Sequence, residues 1–141
     1  MPDPIEIAPG IVVPAEALAV KAVRSGGPGG QNVNKVSSKI ELRIRLEGIQ
    51  GLTPEALDRL RHAVRNRLDA EGRWIILSDK TRDQLKNLED ARAKAVQTIA
   101  EALVPPVPRR ATRPTKASKT RRLEGKRIAG EKKRMRRKDY E

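Results

Sequence analysis

Residues 39–46 read KIELRIRL, and residues 53–72 read TPEALDRLRHAVRNRLDAEG. In the first stretch Ile40, Leu42, Ile44 and Leu46 alternate with Lys39, Glu41, Arg43 and Arg45. That period of two belongs to a strand buried on one face only. In the second, Thr53 is a good N-cap, Pro54 suits the first helical position and Glu55 favours the positive end of a helix. Leu57, Leu60, Val64 and Leu68 then form one stripe, and Gly72 suits the left-handed position after a last turn. A strand is thus followed by a helix.

The same reading extends outward in both directions. IEI and IVV near the start are short strand candidates, and LAVKAVR at 18–24 alternates weakly. RWIILS at 73–78 is a further strand. From about Thr81 to Leu103 a second helix is expected to turn Leu85, Leu88, Ala95, Val96, Ile99 and Leu103 inward. Strands, helix, strand, helix predict an α+β fold, a small and mainly antiparallel sheet covered on one face by two helices. At Val104 the periodicity stops. The segment 104–120, VPPVPRRATRPTKASKT, holds four prolines, which break helices and extend the residue before them. Two regions are expected, a body at 1–104 and a tail at 105–141.

The 141-residue chain carries a formal net charge of +13. Residues 105–141 hold 15 Lys or Arg against 4 Asp or Glu, and the preceding 104 residues 16 against 14. A near-neutral body with a strongly basic tail points to a polyanion partner, nucleic acid above all. The tail has so few apolar residues (Leu123, Ile128, Met135) that burial cannot offset an ordering entropy of about 1–2 kcal/mol per residue. Disorder is expected when it is free, with some helix on binding from about Lys116 to Lys138. Fully stretched, it would reach on the order of 100 Å at ~3.3 Å per residue.

Other classes fall away on composition. Cysteine is absent and His62 is the single histidine, so thiolate chemistry is excluded, and a His-rich metal site or a Ser-His-Asp triad would have to run through His62. His62 lies off the apolar stripe and reads as a solvated helix residue. Trp74 and Tyr140 are the only aromatic residues, too few for a base-stacking platform. Trp74 itself reads as core. Arg43 and Arg45 read as a solvated strand face, with RNA contact the alternative. The N-terminal MPDPIEIAPG lacks a signal-peptide pattern and no apolar run approaches a membrane span. A soluble, cytoplasmic location is expected, with no membrane partner and an organellar one disfavoured.

Residues 24–35, RSGGPGGQNVNK, concentrate four glycines and a proline in five positions. A phosphate-binding loop fails, because Asn34 precedes Lys35 and Val36 follows it. The dinucleotide pattern beginning at Gly27 fails at Asn32. A tolerant surface turn is the plain alternative, but three amides and a Lys follow the glycines at once, and a connector needs no such donor density. The stretch resembles the Gly-Gly-Gln motif of class I peptide-chain release factors. It is more similar still to the small codon-independent ribosome-rescue hydrolases of the alternative rescue factor B type. Gly26, Pro28, Gly29, Gly30, Gln31, Val33, Asn34 and Lys35 carry the resemblance, which continues through SSKIELRI, the Thr-Pro helix start and RRATRPTKASKTRRLEGKR.

The resemblance implies hydrolysis of the ester joining a nascent peptide to tRNA, in the peptidyl transferase centre of the large ribosomal subunit. It implies Gly29, Gly30 and Gln31 as the catalytic motif, with no metal and no cofactor. The glycines would allow φ > 0 or close approach to RNA. The Gln31 N–H would donate to developing negative charge, and the neutral Gln31 side chain is cheaper to bury than a carboxylate. Arg24, Ser25, Asn32, Asn34 and Lys35 would contact RNA around the loop. Family members often carry His where Asn32 stands. Asn cannot titrate, so no proton-transfer role is assigned there. In the tail, Arg109, Arg110, Arg113, Lys116, Lys119, Arg121, Arg122, Lys126, Arg127, Lys132, Lys133, Arg134, Arg136 and Arg137 would pair with rRNA phosphates in the empty mRNA channel of the small subunit. A body of about 104 residues leaves no space for codon-reading domains. The partners expected are therefore the ribosome, rRNA and peptidyl-tRNA, met by a monomer. A noncatalytic ribosome-binding module and a free-standing esterase remain as alternatives.

Overall fold

Alternation along residues 39–44 produces the central strand of the sheet. In a computed structural model that describes residues 1–24 and 38–138, Lys39–Ile44 is the fourth strand, β4, with Ile40, Leu42 and Ile44 buried and the residues between them half-buried. The chain before it forms β1 (Ile5–Ala8), β2 (Ile11–Val13) and β3 (Leu18–Val23). The chain after it forms α1 (Pro54–Val64), β5 (Trp74–Ser78) and α2 (Gln84–Leu103), and the tail forms α3 (Lys116–Lys138). The order of the three-stranded sheet is β3-β4-β5, antiparallel throughout, and β1 and β2 pair separately as an antiparallel hairpin. The α+β class read from the element order is the one observed.

The chain packs as two units, Met1–Pro106 and Val107–Glu141. In the first, one apolar core joins Ile40, Leu42 and Ile44 to Trp74 and Ile76 of β5, Leu60 and Val64 of α1, and Ala91, Ala95 and Ile99 of α2. Trp74 is fully buried, as expected, although its indole N–H finds no partner among the described residues. Burial of so large a ring outweighs one missing hydrogen bond.

The two helices divide their duties. α2 lies along β4, β5 and β1, and α1 packs on α2 while adding Leu60 and Val64 to the core they share with the sheet. Arg59 of α1 donates from Nε to the Ala102 carbonyl at 2.8 Å, satisfying a carbonyl that the end of α2 leaves open. Arg92 of α2 donates to the carbonyls of Asp3 and Pro4, both at 2.8 Å.

Thr53 caps α1 as expected, its hydroxyl accepting from Ala56 N at 3.2 Å. The helix ends earlier than its stripe suggests. Past Val64 a single 3-10 turn, Arg65–Arg67, leads to Leu68, which bridges to Trp74. Gly72, at φ +76°, therefore serves the tight turn between Leu68 and Trp74 and not a helix end. Asp69 holds that turn: its carboxylate accepts from Glu71 N, Arg73 N and Arg73 Nε, each at 2.9 Å.

The inward face of α2 also differs from the expected one. Leu85 is 72% exposed, and the buried positions are Asn87, Ala91, Ala95, Ile99 and Ala102. Leu88, Val96 and Leu103 are half-buried along its flank. The cap is Asp83, whose carboxylate accepts from Leu85 N and Lys86 N. Leu85 thus belongs to the first turn, before the helix meets the sheet. Alanines at the interface let helix and sheet approach closely.

In the second unit no regular structure spans 105–115. The segment expected to be disordered when free is helical here, over the same Lys116–Lys138 expected of its bound form. Thr115 caps it, accepting from Ser118 N at 3.2 Å, and Arg136, Arg137 and Lys138 complement the negative end of the helix dipole. None of its residues is buried, so backbone propensity, its cap and local pairs such as Arg127 with Glu131 hold it rather than packing.

Candidate functional site

β3 and β4 are paired over six rungs, Leu18↔Ile44 through Val23↔Lys39. The connection between them, residues 24–38, has fifteen residues, whereas an antiparallel hairpin closes with about two to five. The connection holds the glycine-rich stretch. Gly29, Gly30, Gln31, Ser25, Asn32, Asn34 and Lys35 all lie outside the described residues. Arg24, the remaining expected loop contact, is exposed at the N-terminal root.

At the C-terminal root the chain is gripped from α2. Asn87, fully buried, donates from Nδ2 to the Ser38 carbonyl at 2.7 Å and to the Thr81 carbonyl at 2.8 Å. Its Oδ1 accepts from Thr81 N at 2.8 Å and from the Thr81 hydroxyl at 3.0 Å. Every amide valence of Asn87 is thereby used, as a buried amide requires. The helix phase held the only available signal for this residue: an Asn in step with Ala91, Ala95 and Ile99 is a polar group in an apolar stripe.

The register brings further cations to the same end of the sheet. Ala22 lies opposite Ile40, and Ile40 opposite Ser78. Arg24, Lys39, Lys80 and Arg82 therefore follow or begin strands at one edge. Ser78, also buried, donates its hydroxyl to Asp90 at 2.7 Å, and Lys94 pairs with the same carboxylate at 2.7 Å. Hydrogen bonds from Lys94 and Ser78 outweigh the desolvation of Asp90, and with the charges of Lys94 and Lys80 they hold its carboxyl below the ordinary aspartate range.

The polar face of the sheet is engaged internally. Arg43 pairs with Glu41 and Asp69, and Arg45 donates to the Glu16 carbonyl at 3.2 Å. His62 is exposed, as expected, with the Arg65 guanidinium 2.9 Å from its Nε2. Among the described residues no three His, Asp or Glu side chains gather as a metal site would need, and no helix is long and apolar enough to cross a membrane. The fourteen expected RNA-binding cations of the tail are all exposed. Arg109, Arg110 and Arg113 lie before α3 and the others on it. Arg127 has a carboxylate partner there, Glu131 at 3.9 Å.

Comparison with known proteins agrees with this architecture. Residues 5–141 match the RF-1 domain. The chain is 37% identical over 122 residues to the peptidyl-tRNA hydrolase ArfB of Pseudomonas putida, covering 86% of this chain and 88% of that protein. It is 34% identical over 90 residues to the mouse large ribosomal subunit protein mL62, 64% of this chain but 44% of the mouse one, so it matches less than half of that protein's length. A 49-residue stretch is 41% identical to a probable mitochondrial peptide chain release factor 1 of Caenorhabditis elegans, 12% of its length. With the match running through body and tail alike, the chain belongs to the RF-1 domain family.

Proposed function

We propose that this protein is a ribosome-dependent peptidyl-tRNA hydrolase that acts without regard to the codon and frees stalled ribosomes. The observation that carries the reading is the fifteen-residue connection between β3 and β4, far longer than a hairpin needs and bearing Gly29-Gly30-Gln31, in a chain similar over most of its length to a peptidyl-tRNA hydrolase.

Water adds to the ester carbonyl carbon, the tetrahedral oxyanion collapses, and the bond to the ribose 3′ oxygen breaks as that oxygen takes up a proton. The ester is already activated and ribosomal RNA walls the site, so the protein need not bring a strong base. Its part is to admit water and donate from the Gln31 N–H to developing charge, an interaction worth about 2.7–4 kcal/mol. Gly29 and Gly30 permit close approach to RNA that a Cβ would obstruct. Arg24, Ser25, Asn32, Asn34 and Lys35 hold the loop to RNA, and the basic tail occupies the empty mRNA channel, binding phosphates through counterion release.

The test is release of labelled peptide from ribosomes stalled on a short message. The unaltered protein should release it, and Gln31→Ala should bind and release little. Binding without release by the unaltered protein would instead make it a noncatalytic ribosome-binding module. Turnover of peptidyl-tRNA without ribosomes would make it a free-standing esterase.

A further inference from the structure

The Asn87 amide joins three separate pieces of chain: helix α2, the turn after β5, and Ser38, where β4 is about to begin. Residues 38 and 87 are 49 apart in sequence. Two of the four hydrogen bonds go to backbone carbonyls, those of Ser38 and Thr81. Thr81, the third partner, is held again through its hydroxyl oxygen, which accepts from Asp83 N at 3.2 Å. The Asp83 side chain in turn caps α2. The C-terminal root of the 24–38 connection is therefore tied to the rigid start of α2, independently of the β3–β4 ladder.

A hydrophobic residue at position 87 would continue the stripe of Ala91, Ala95 and Ile99, and a buried polar group is retained at a desolvation cost unless its bonds are wanted. Three of the four bonds secure the turn after β5 at Thr81, and the fourth, to the Ser38 carbonyl, fixes the point from which the glycine-rich segment departs.

We propose that Asn87 is a positioning residue for peptide release, setting the origin of the Gly29-Gly30-Gln31 segment through the Ser38 carbonyl. The inference rests on the hydrolase reading above. Asn87 touches no substrate. Its loss relaxes the segment's origin, and displacement of catalytic groups by about 1 Å can lower a rate on the order of a hundredfold. Ribosome affinity, which the tail supplies, is left in place.

The experiment compares the full-length protein, Asn87→Ala and Ile99→Ala. The last removes core volume from the same face of α2 without touching Ser38. Release kinetics are measured on stalled ribosomes at a temperature where all three are folded, and backbone hydrogen exchange is followed over residues 24–40. Asn87→Ala should lower kcat by about tenfold to a hundredfold with KM within about twofold, and should speed exchange at residues 38–40. Ile99→Ala should do neither. Equal kcat values for the two variants, or unchanged exchange at 38–40 in Asn87→Ala, overturns the proposal. Should Asn87→Ala not fold, Asn87→Asp takes its place, keeping the shape and the acceptor to Thr81 while losing both donors. If the unaltered protein releases no peptide, the hydrolase reading falls and the catalytic half of this inference with it. The exchange comparison still decides whether Asn87 anchors the root.

Discussion

Among the glycines of the described residues, Gly51 has the least room for a side chain, and Gly51→Ala measures it. Its φ is +86°, and a Cβ there would lie 2.0 Å from the Gly10 carbonyl oxygen, 2.9 Å from the Gly10 carbonyl carbon and 3.3 Å from Ile11 Cα. All three are backbone atoms, so no side-chain rotation relieves the clash. The left-handed conformation alone costs an L-residue about 1–2 kcal/mol. To clear the Cβ, the β1–β2 turn must also move away from residues 50 and 51. That opens the paired bonds Val12 N to Gln50 O (3.2 Å) and Gln50 N to Val12 O (2.9 Å), each worth about 0.5–1.5 kcal/mol net. The sum is roughly 2–5 kcal/mol. For a domain of about 100 residues this lowers Tm by on the order of 10–20 °C. Gly72→Ala supplies the control, since Gly72 has φ +76° and open space around its would-be Cβ. It should lose only the conformational part, about 1–2 kcal/mol, and both variants gain equally from a stiffer unfolded chain. Trp74, the single tryptophan and fully buried, reports unfolding by fluorescence in urea. If Gly51→Ala is no less stable than Gly72→Ala, the close approach of the two turns is not a constraint on the fold.

Three further outcomes are expected. Gly30→Val should abolish peptide release while ribosome binding survives, and undiminished release would defeat the assignment of that glycine. Deleting residues 109–141 should remove activity by loss of binding. The slope of log affinity against log salt should also flatten by about 0.7–0.9 for each phosphate that is no longer bound, whereas equal slopes for full-length and truncated protein would leave the tail without its role. Asp69 supplies a pH signature. Partial burial raises its carboxyl pKa, but hydrogen bonds from Arg73 and from Glu71 N, with the Arg73 charge, more than reverse this and hold the carboxyl below the ordinary aspartate range. A folded-state pKa below the unfolded one contributes stability above the unfolded value and loses it as pH falls through the folded value. The denaturation midpoint of the unaltered protein should therefore drop below about pH 4, and Asp69→Asn should flatten that acid limb. An identical acid limb in Asp69→Asn would show that the turn does not depend on the charge.

What can be read in the sequence follows the range of the forces involved. The alternation of Ile40, Leu42 and Ile44 and the Thr53 cap are local, and both are found as expected. The end of α1 is misjudged from sequence because Leu68 stays in phase with the stripe, while the competing turn is built from Asp69, Arg73 and a bridge to Trp74. The face of α2 is misjudged because size is a poor sign of burial there. Leu85 is large and lies before the helix–sheet interface, whereas Ala91, Ala102 and Asn87 are small or polar and form it. Asn87 lies furthest from any local rule, since its partner Ser38 is 49 residues away. The glycine-rich segment is read on another basis: its motif is contiguous, and the resemblance it carries depends on residue order alone.

The division between fold and loop has an energetic basis. Six rungs join β3 to β4, and the ladder continues into β5 and the helix-covered core. Lengthening a connection costs little once its ends are held, about 0.6 kcal/mol for each doubling. A fifteen-residue segment can thus be carried at slight expense in stability. In the tail, none of the residues of α3 is buried. A body stabilised without either part leaves the residue content of both free to be set by a partner. For the loop that content is small residues and amides, and for the tail it is positive charge. The Asn87 hydrogen bond is where this separation is incomplete, for there the core reaches the root of the loop.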